Sequence, residues 1–119
     1  MADHNDLGKK GEQLAIDFLL KNSYAILETN YRYLKAEVDI IAIKEDVLVA
    51  IEVKTRTSNY FGNPQDFVNP KKIKLLLSAI DNYVVERDLD VEVRFDIIAI
   101  ITNKKQTKIE HLKDAFLHF

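Results

Sequence analysis

Residues 36–56 read AEVDIIAIKEDVLVAIEVKTR. Apolar residues recur at every second position on either side of Lys44-Glu45-Asp46, the pattern of two antiparallel strands joined by a short turn. Four charged residues fall inside those strands: Glu37, Asp39, Glu52 and Lys54. A charge taken out of water is costly unless it is paired or holds a metal. The chain must therefore build a sheet whose inner strands carry carboxylates, and the rest of the fold must tolerate them.

Side chains alternate faces along a strand, so Glu37, Asp39, Ile41 and Ile43 share one face of the first run. Leu48, Ala50, Glu52 and Lys54 share one face of the second. A two-residue turn at Glu45-Asp46 pairs Ile43 with Leu48 and Ile41 with Ala50. Asp39 then lies opposite Glu52, and Glu37 opposite Lys54, with facing Cβ atoms about 4.5–5.5 Å apart. A one-residue slip would send Glu52 to the other face; a three-residue turn with a bulge reaches the same facing by another route. Two like charges face to face destabilise a sheet unless a cation lies between them. One reading is thus a hard-cation site, two carboxylates and a nearby main-chain carbonyl suiting Mg²⁺ or Mn²⁺, with Lys54 placed to steady developing negative charge. The plainer reading is a solvated polar face with Glu37–Lys54 as a cross-strand ion pair. Spacing alone leaves both open, because the pattern is short.

The flanking sequence supplies the remaining layers. Leu7, Leu14, Ala15, Phe18 and Leu19 make a helical stripe, with Asp6 as cap and Asn22-Ser23 as stop. Strands are expected over Tyr24–Tyr31, Glu37–Ile43 and Val47–Lys54. Thr57–Asn69 reads as a long loop. Asn69-Pro70 is a cap followed by proline at the first helical position. It opens a second helix to about Arg87 that buries Ile73, Leu76, Leu77, Ile80, Tyr83 and Val84. Val91–Ile101 is a long strand, apolar on both faces over Ile98–Ile101 and so central. Thr107–Leu112 is a short last strand and Asp114–Phe119 a terminal turn. The order αβββαβ with a short tail predicts a three-layer α/β (α+β) sandwich, with a mixed central sheet flanked by helices.

At 119 residues the chain is expected to form one domain, residues 1–119. Its 47% apolar and 30% charged content is that of a soluble globular protein. No cysteine is present, which excludes disulfide frameworks, thiolate zinc sites and cysteine nucleophiles. No apolar run approaches the roughly 20 residues that span a bilayer, and the polar N-terminus carries no signal-peptide core. No membrane partner and a cytoplasmic location are expected. The formal charge of −2 counts against a dedicated DNA-coating protein, although an acidic cation site lowers net charge by itself.

Asp39 followed by Glu52-Val53-Lys54 resembles the PD-(D/E)xK nuclease superfamily, with its restriction-endonuclease-like fold. A closer resemblance is to the YraN-like family. It rests on Gly8, Gly11-Glu12, Asn30-Tyr31-Arg32, Glu37-Val38-Asp39-Ile40-Ile41 and Glu52-Val53-Lys54-Thr55-Arg56, and on Phe61-Gly62 with Pro64, Lys72, Arg94-Phe95-Asp96 and Ala115-Phe116. These blocks run in order along nearly the whole chain. The family is described as predicted endonucleases similar to archaeal Holliday-junction resolvases. The resemblance implies Asp39 and Glu52 as metal ligands, Lys54 as catalytic lysine, Glu12 as an added acidic residue from the first helix, and Glu37 as a supporting acidic position. One position departs: the family usually has glycine where this chain has Ala36, and alanine does not tolerate positive φ.

The function expected on this basis is Mg²⁺- or Mn²⁺-dependent hydrolysis of phosphodiester bonds in nucleic acid, DNA and branched DNA first among the candidates. Arg56, Lys71 and Lys72, with Lys74, are candidate phosphate contacts, against the alternative of a solvated helix start. Tyr60 and Phe61 either stack on an unpaired base or tuck onto the core. Arg94 and Asp96 read as a structural ion pair. His4, His111 and His118 read as surface residues. The apolar tail Phe116, Leu117 and Phe119 caps the core or seams a homodimer, the latter by analogy with resolvases acting on symmetric junctions. The rival functions are a nucleic-acid-binding module without turnover and an adaptor whose charges merely solvate a sheet face.

Overall fold

The computed structural model describes residues 4–58 and 69–115. Tyr60, Phe61, the tail 116–119 and the side chain of His4 lie outside the described residues. The elements are α1 (His4–Lys21), β1 (Ala25–Tyr33), β2 (Ala36–Lys44), β3 (Val47–Arg56), α2 (Pro70–Glu86), β4 (Glu92–Thr102) and β5 (Thr107–Leu112). The strands form one sheet in sequence order. All neighbours are antiparallel except β3 and β4, which run parallel over ten paired residues. A parallel pair cannot be closed by a hairpin. The connection through α2 meets that need.

Helix α1 lies on one sheet face. Ala15 and Leu19 pack with Ile40, Ala42, Val49, Ile51, Ile98 and Ile100. Helix α2 lies on the other, where Leu76, Ala79, Ile80 and Tyr83 meet Val38, Ile41, Leu48 and Ala50. The result is the expected three-layer sandwich around a mixed sheet. Each fully buried Leu or Ile contributes about 1.5–3 kcal/mol. β5 adds an edge strand after the αβββαβ core, over the residues the sequence suggested.

Several boundaries differ from expectation. α1 begins at His4 rather than Leu7, so Asp6 lies inside the first turn, where a carboxylate favours the helix dipole. Its end is as expected. Ser23 has φ 70°, and the Tyr24 N–H donates to Leu19 O at 3.0 Å. β1 starts and ends later than Tyr24–Tyr31, and it bulges between Ile26 and Glu28. α2 starts where the sequence placed it: Asn69 Oδ1 accepts from the Lys72 N–H at 2.9 Å and Pro70 follows. Leu77 is not buried; it is 48% exposed, one residue round the helix from Leu76. Ala36 opens β2 opposite Tyr33 without positive φ, which falls instead on Leu34 in the turn.

The Arg94–Asp96 pair is structural, as read from the sequence, and it is larger than a pair. Arg94 holds both oxygens of the fully buried Asp96 at 2.9 Å and donates to Tyr24 Oη at 2.8 Å. His111 Nε2 lies 2.7 Å from Asp96 Oδ2, and the Asp114 N–H donates to Oδ1 at 3.1 Å. His111 is therefore not a surface residue. Its side chain is 8% exposed and meets the rings of Phe18 and Tyr24 edge-on. Burial alone would raise the Asp96 pKa, but the bonds from His111, Arg94 and Asp114 outweigh it and hold the carboxyl below its usual range. Among the described residues no helix is long and apolar enough to cross a membrane.

Candidate active site

β2 and β3 pair in the expected register, from Lys44 with Val47 through Ile43 with Leu48 and Ile41 with Ala50 to Ile40 with Ile51. The two-residue turn sets Glu45 at φ 56°. The ladder stops there, one step before Asp39 and Glu52. Side chains take over from the main chain. The Val53 N–H donates to Asp39 Oδ2 at 2.8 Å, and the Asp39 N–H reaches Glu52 Oε2 at 3.4 Å. Each carboxylate thus crosses to the backbone of the opposite strand. The face alternation of β2 also breaks here. Ile40 and Ala42 join the α1-side core, while Ile41 and, beyond the break, Val38 and Ala36 join the α2 side. Asn30, between the β1 residues paired with Ile40 and Val38, has φ 53°. The strands part at Asp39, and the parting leaves room for a ligand beside two carboxylates.

Glu52 is 5% exposed, and its Oε1 accepts from Lys72 Nζ at 2.9 Å. Lys72 comes from the first turn of α2, so the cap at Asn69 also aims this lysine. Burial, and next the Glu52 charge, push the Asp39 carboxyl from an ordinary 3.8 up to about 7, against the Val53 N–H bond. The Lys54 ammonium is pushed down, first by burial and then by Lys72 and Arg56, which outweigh the pull of Glu52 and Asp39. A carboxyl that titrates near neutrality thus stands near a lysine whose proton is loosened. Such opposed displacements gathered in a cleft are typical of working sites.

Glu12 reaches the same place from α1. Gly11 makes this possible, because a Cβ there would land inside the Thr55 side chain of β3. Glycine lets the helix settle onto the strand that carries Glu52 and Lys54. Asn30 Nδ2 then donates to Glu12 Oε1 at 3.1 Å, and Glu12 is close enough to add to the upward push on Asp39. The sequence marks Asn30 only as part of the Asn30-Tyr31-Arg32 block, with no place in the site. Its signal is an asparagine inside a strand, a type depleted there and tolerant of positive φ.

Two clefts meet at Asp39. One, of about 500 Å³, is lined by Gly8, Glu12, Lys54 and Arg56 among others; the second, of about 390 Å³, by Glu37, Glu52, Lys71 and Lys72. The residues expected to touch nucleic acid are therefore divided between two sides of one carboxylate. Glu37 pairs with Arg32 rather than with Lys54: its carboxylate is held by Arg32 Nε at 2.9 Å, across the β1–β2 ladder. The ion pair that a solvated β2–β3 face would use is thus replaced by one to β1.

The donors Asp39 and Glu52 are hard oxygens, the kind Mg²⁺ and Mn²⁺ take. Among the described residues no three carboxylates or imidazoles form a ready-made cage. Two carboxylates suffice for Mg²⁺, which keeps several waters and binds substrate phosphates. The like-charge pressure on Asp39 is what a divalent ion would relieve, so the residues fit the group.

Residues 11–100 match the model of the uncharacterised protein family UPF0102. A UPF0102 protein of Christiangramia forsetii is 64% identical over 119 residues, covering all of both chains. One from Flavobacterium psychrophilum is 60% identical, again over the full length of both. One from Bacteroides fragilis is 45% identical over 116 residues, 98% of this chain and 96% of its own. The chain belongs to the UPF0102 family, the YraN-like group its sequence blocks resemble.

Proposed function

We propose, taking membership of UPF0102 as the premise, that this protein is a nuclease of the PD-(D/E)xK kind, hydrolysing phosphodiester bonds with Mg²⁺ or Mn²⁺. The single observation that carries the reading is the crossed pair Asp39–Glu52 at the end of the β2–β3 ladder, beside Lys54. A purely structural carboxylate pair would be given donors. This one is given two backbone N–H groups, one of them as far as 3.4 Å, and one lysine, and Asp39 is left pushed up to about 7.

Asp39 and Glu52 would hold the cation. When bound, that ion polarises a phosphate oxygen and makes a water more acidic. Lys54, which lines the cleft next to Asp39, orients the attacking water or steadies charge on the phosphoryl oxygens. Glu12, fixed by Asn30, accepts a proton or adds a water-mediated ligand. Arg56 on one side and Lys71 and Lys72 on the other supply positive charge along a strand that passes Asp39. Likeness to archaeal resolvases would make the substrate branched DNA and the working form a homodimer.

The test is cleavage of flapped, branched, single-stranded and duplex DNA with Mg²⁺ or Mn²⁺. Lys54→Ala should lower the rate by about 10²–10³. A Lys54→Ala protein as active as wild type would mean that the cleavage belongs to a contaminant.

A second reading is a nucleic-acid-binding module without turnover. The Lys72–Glu52 contact favours it, because the ammonium sits on an oxygen the cation needs. Such a module binds DNA equally well in EDTA and takes up no Mn²⁺. An adaptor role predicts no affinity for nucleic acid even at low salt, where phosphate contacts are strongest.

A further inference from the structure

We propose that Lys72 is the resident stand-in for the cation: its ammonium neutralises Glu52 in the metal-free protein, then yields the carboxylate to a divalent ion and turns to substrate phosphate. The inference rests on the nuclease reading and adds an order of events to it.

The Glu52 side chain is 6% exposed, so its charge must be balanced from within the protein. Lys72 Nζ is 2.9 Å from Oε1, the oxygen not turned to the Asp39 N–H. A cation held by Asp39 and Glu52 needs that oxygen region. A divalent ion and an ammonium pressed against one carboxylate repel each other strongly in a half-buried cleft. The lysine has somewhere to go. Its side chain is 36% exposed, with the exposed Lys71 beside it on the same cleft. Departure costs the fold little, because the α2 cap is made by the Lys72 main-chain N–H and not by its side chain. Lys72 therefore serves Glu52 or a phosphate, not both. Cation uptake then comes before tight substrate binding, and apo protein is spared an uncompensated carboxylate.

The test is Mn²⁺ titration of EDTA-stripped protein, read by electron paramagnetic resonance, for wild type, Lys72→Met and Lys72→Arg. Lys72→Met should bind Mn²⁺ at least about tenfold tighter than wild type, while Lys72→Arg stays near wild type. Thermal melts give a second readout. Stripped Lys72→Met should melt below wild type and gain more from saturating Mn²⁺. Lys72→Gln replaces the methionine variant if the latter fails to fold. Equal or weaker Mn²⁺ binding by Lys72→Met overturns the exchange and leaves the nuclease reading standing. Binding by Lys72→Met with none by wild type also overturns it, since the lysine then blocks the site for good. No Mn²⁺ uptake by any of the proteins at millimolar concentration overturns the exchange and the cation site together.

Discussion

Asp96 and Asp39 are two aspartates on strands of one sheet, and they are treated in opposite ways. Asp96 is fully buried and receives Arg94 on both oxygens, His111 and a main-chain N–H. Its pKa falls. Asp39 is less buried, yet it receives one main-chain N–H and faces another carboxylate, and its pKa rises to about 7. Burial depth runs the wrong way to explain this, since the more deeply buried carboxyl is the more acidic; the supply of donors explains it. A protein that can satisfy one buried aspartate so fully has left the other short, and the shortage lies where the strands part.

The largest effect should come from the satisfied site. Asp96→Ala strands the partly buried Arg94 and the buried His111 and should cost about 3–5 kcal/mol in chemical denaturation. Asp39→Ala should cost far less. Equal costs would erase the contrast between the two aspartates. Catalysis should invert the ranking. Asp39→Ala or Glu52→Ala should lower metal-dependent cleavage by about 10²–10³, or roughly 3–4 kcal/mol of barrier.

Next in size, Asp39→Asn should stabilise the metal-free protein by about 1–3 kcal/mol at pH 8, measured by denaturation in EDTA. The folded state binds the Asp39 proton more tightly than the unfolded state does. The stability this gives is fully present below about pH 4 and is lost as the pH rises through about 7. The loss is at most about 1.4 kcal/mol for each pH unit crossed. The gain from Asp39→Asn should therefore vanish at pH 4. The sign for Asp96 is reversed. Its folded pKa is depressed, so its stability is present above about pH 4 and is lost on further acidification. An Asp96→Asn protein should lack this acid limb, while Asp39→Asn keeps it. Comparable in size and opposite in sign should be Gly11→Ala, which should cost about 1–3 kcal/mol from overpacking against Thr55.

Much of this was legible in the linear chain because period-2 and period-3.6 patterns are local. The β2–β3 register, the Asn69-Pro70 helix start and the central β4 follow from neighbours in sequence. That Asp39 and Glu52 come together was legible for the same reason, although they meet through side chains just past the last ladder pair: a short hairpin turn transmits its phase along both strands. What the hairpin could not tell was where the ladder would stop, at the step where Asn30 of the neighbouring β1 takes positive φ. The fate of Glu37 turned on Arg32, five residues away across a different hairpin. The burial of His111 was hidden because its partner, Asp96, lies fifteen residues upstream on a strand that becomes adjacent only when β5 folds back. The exposure of Leu77 was hidden because Leu75, Leu76 and Leu77 are alike in composition, and helix phase alone buries the middle one.

The seat of Gly11 on Thr55 has a consequence for variation. The spacing between α1 and β3 is set by one missing carbon, so the two positions form a thermodynamic couple. Enlarging one should demand shrinkage of the other: Thr55→Gly should restore most of what Gly11→Ala removes, and Thr55→Ala only part. The reach of Glu12 is thus tuned by a residue pair that need never touch a substrate.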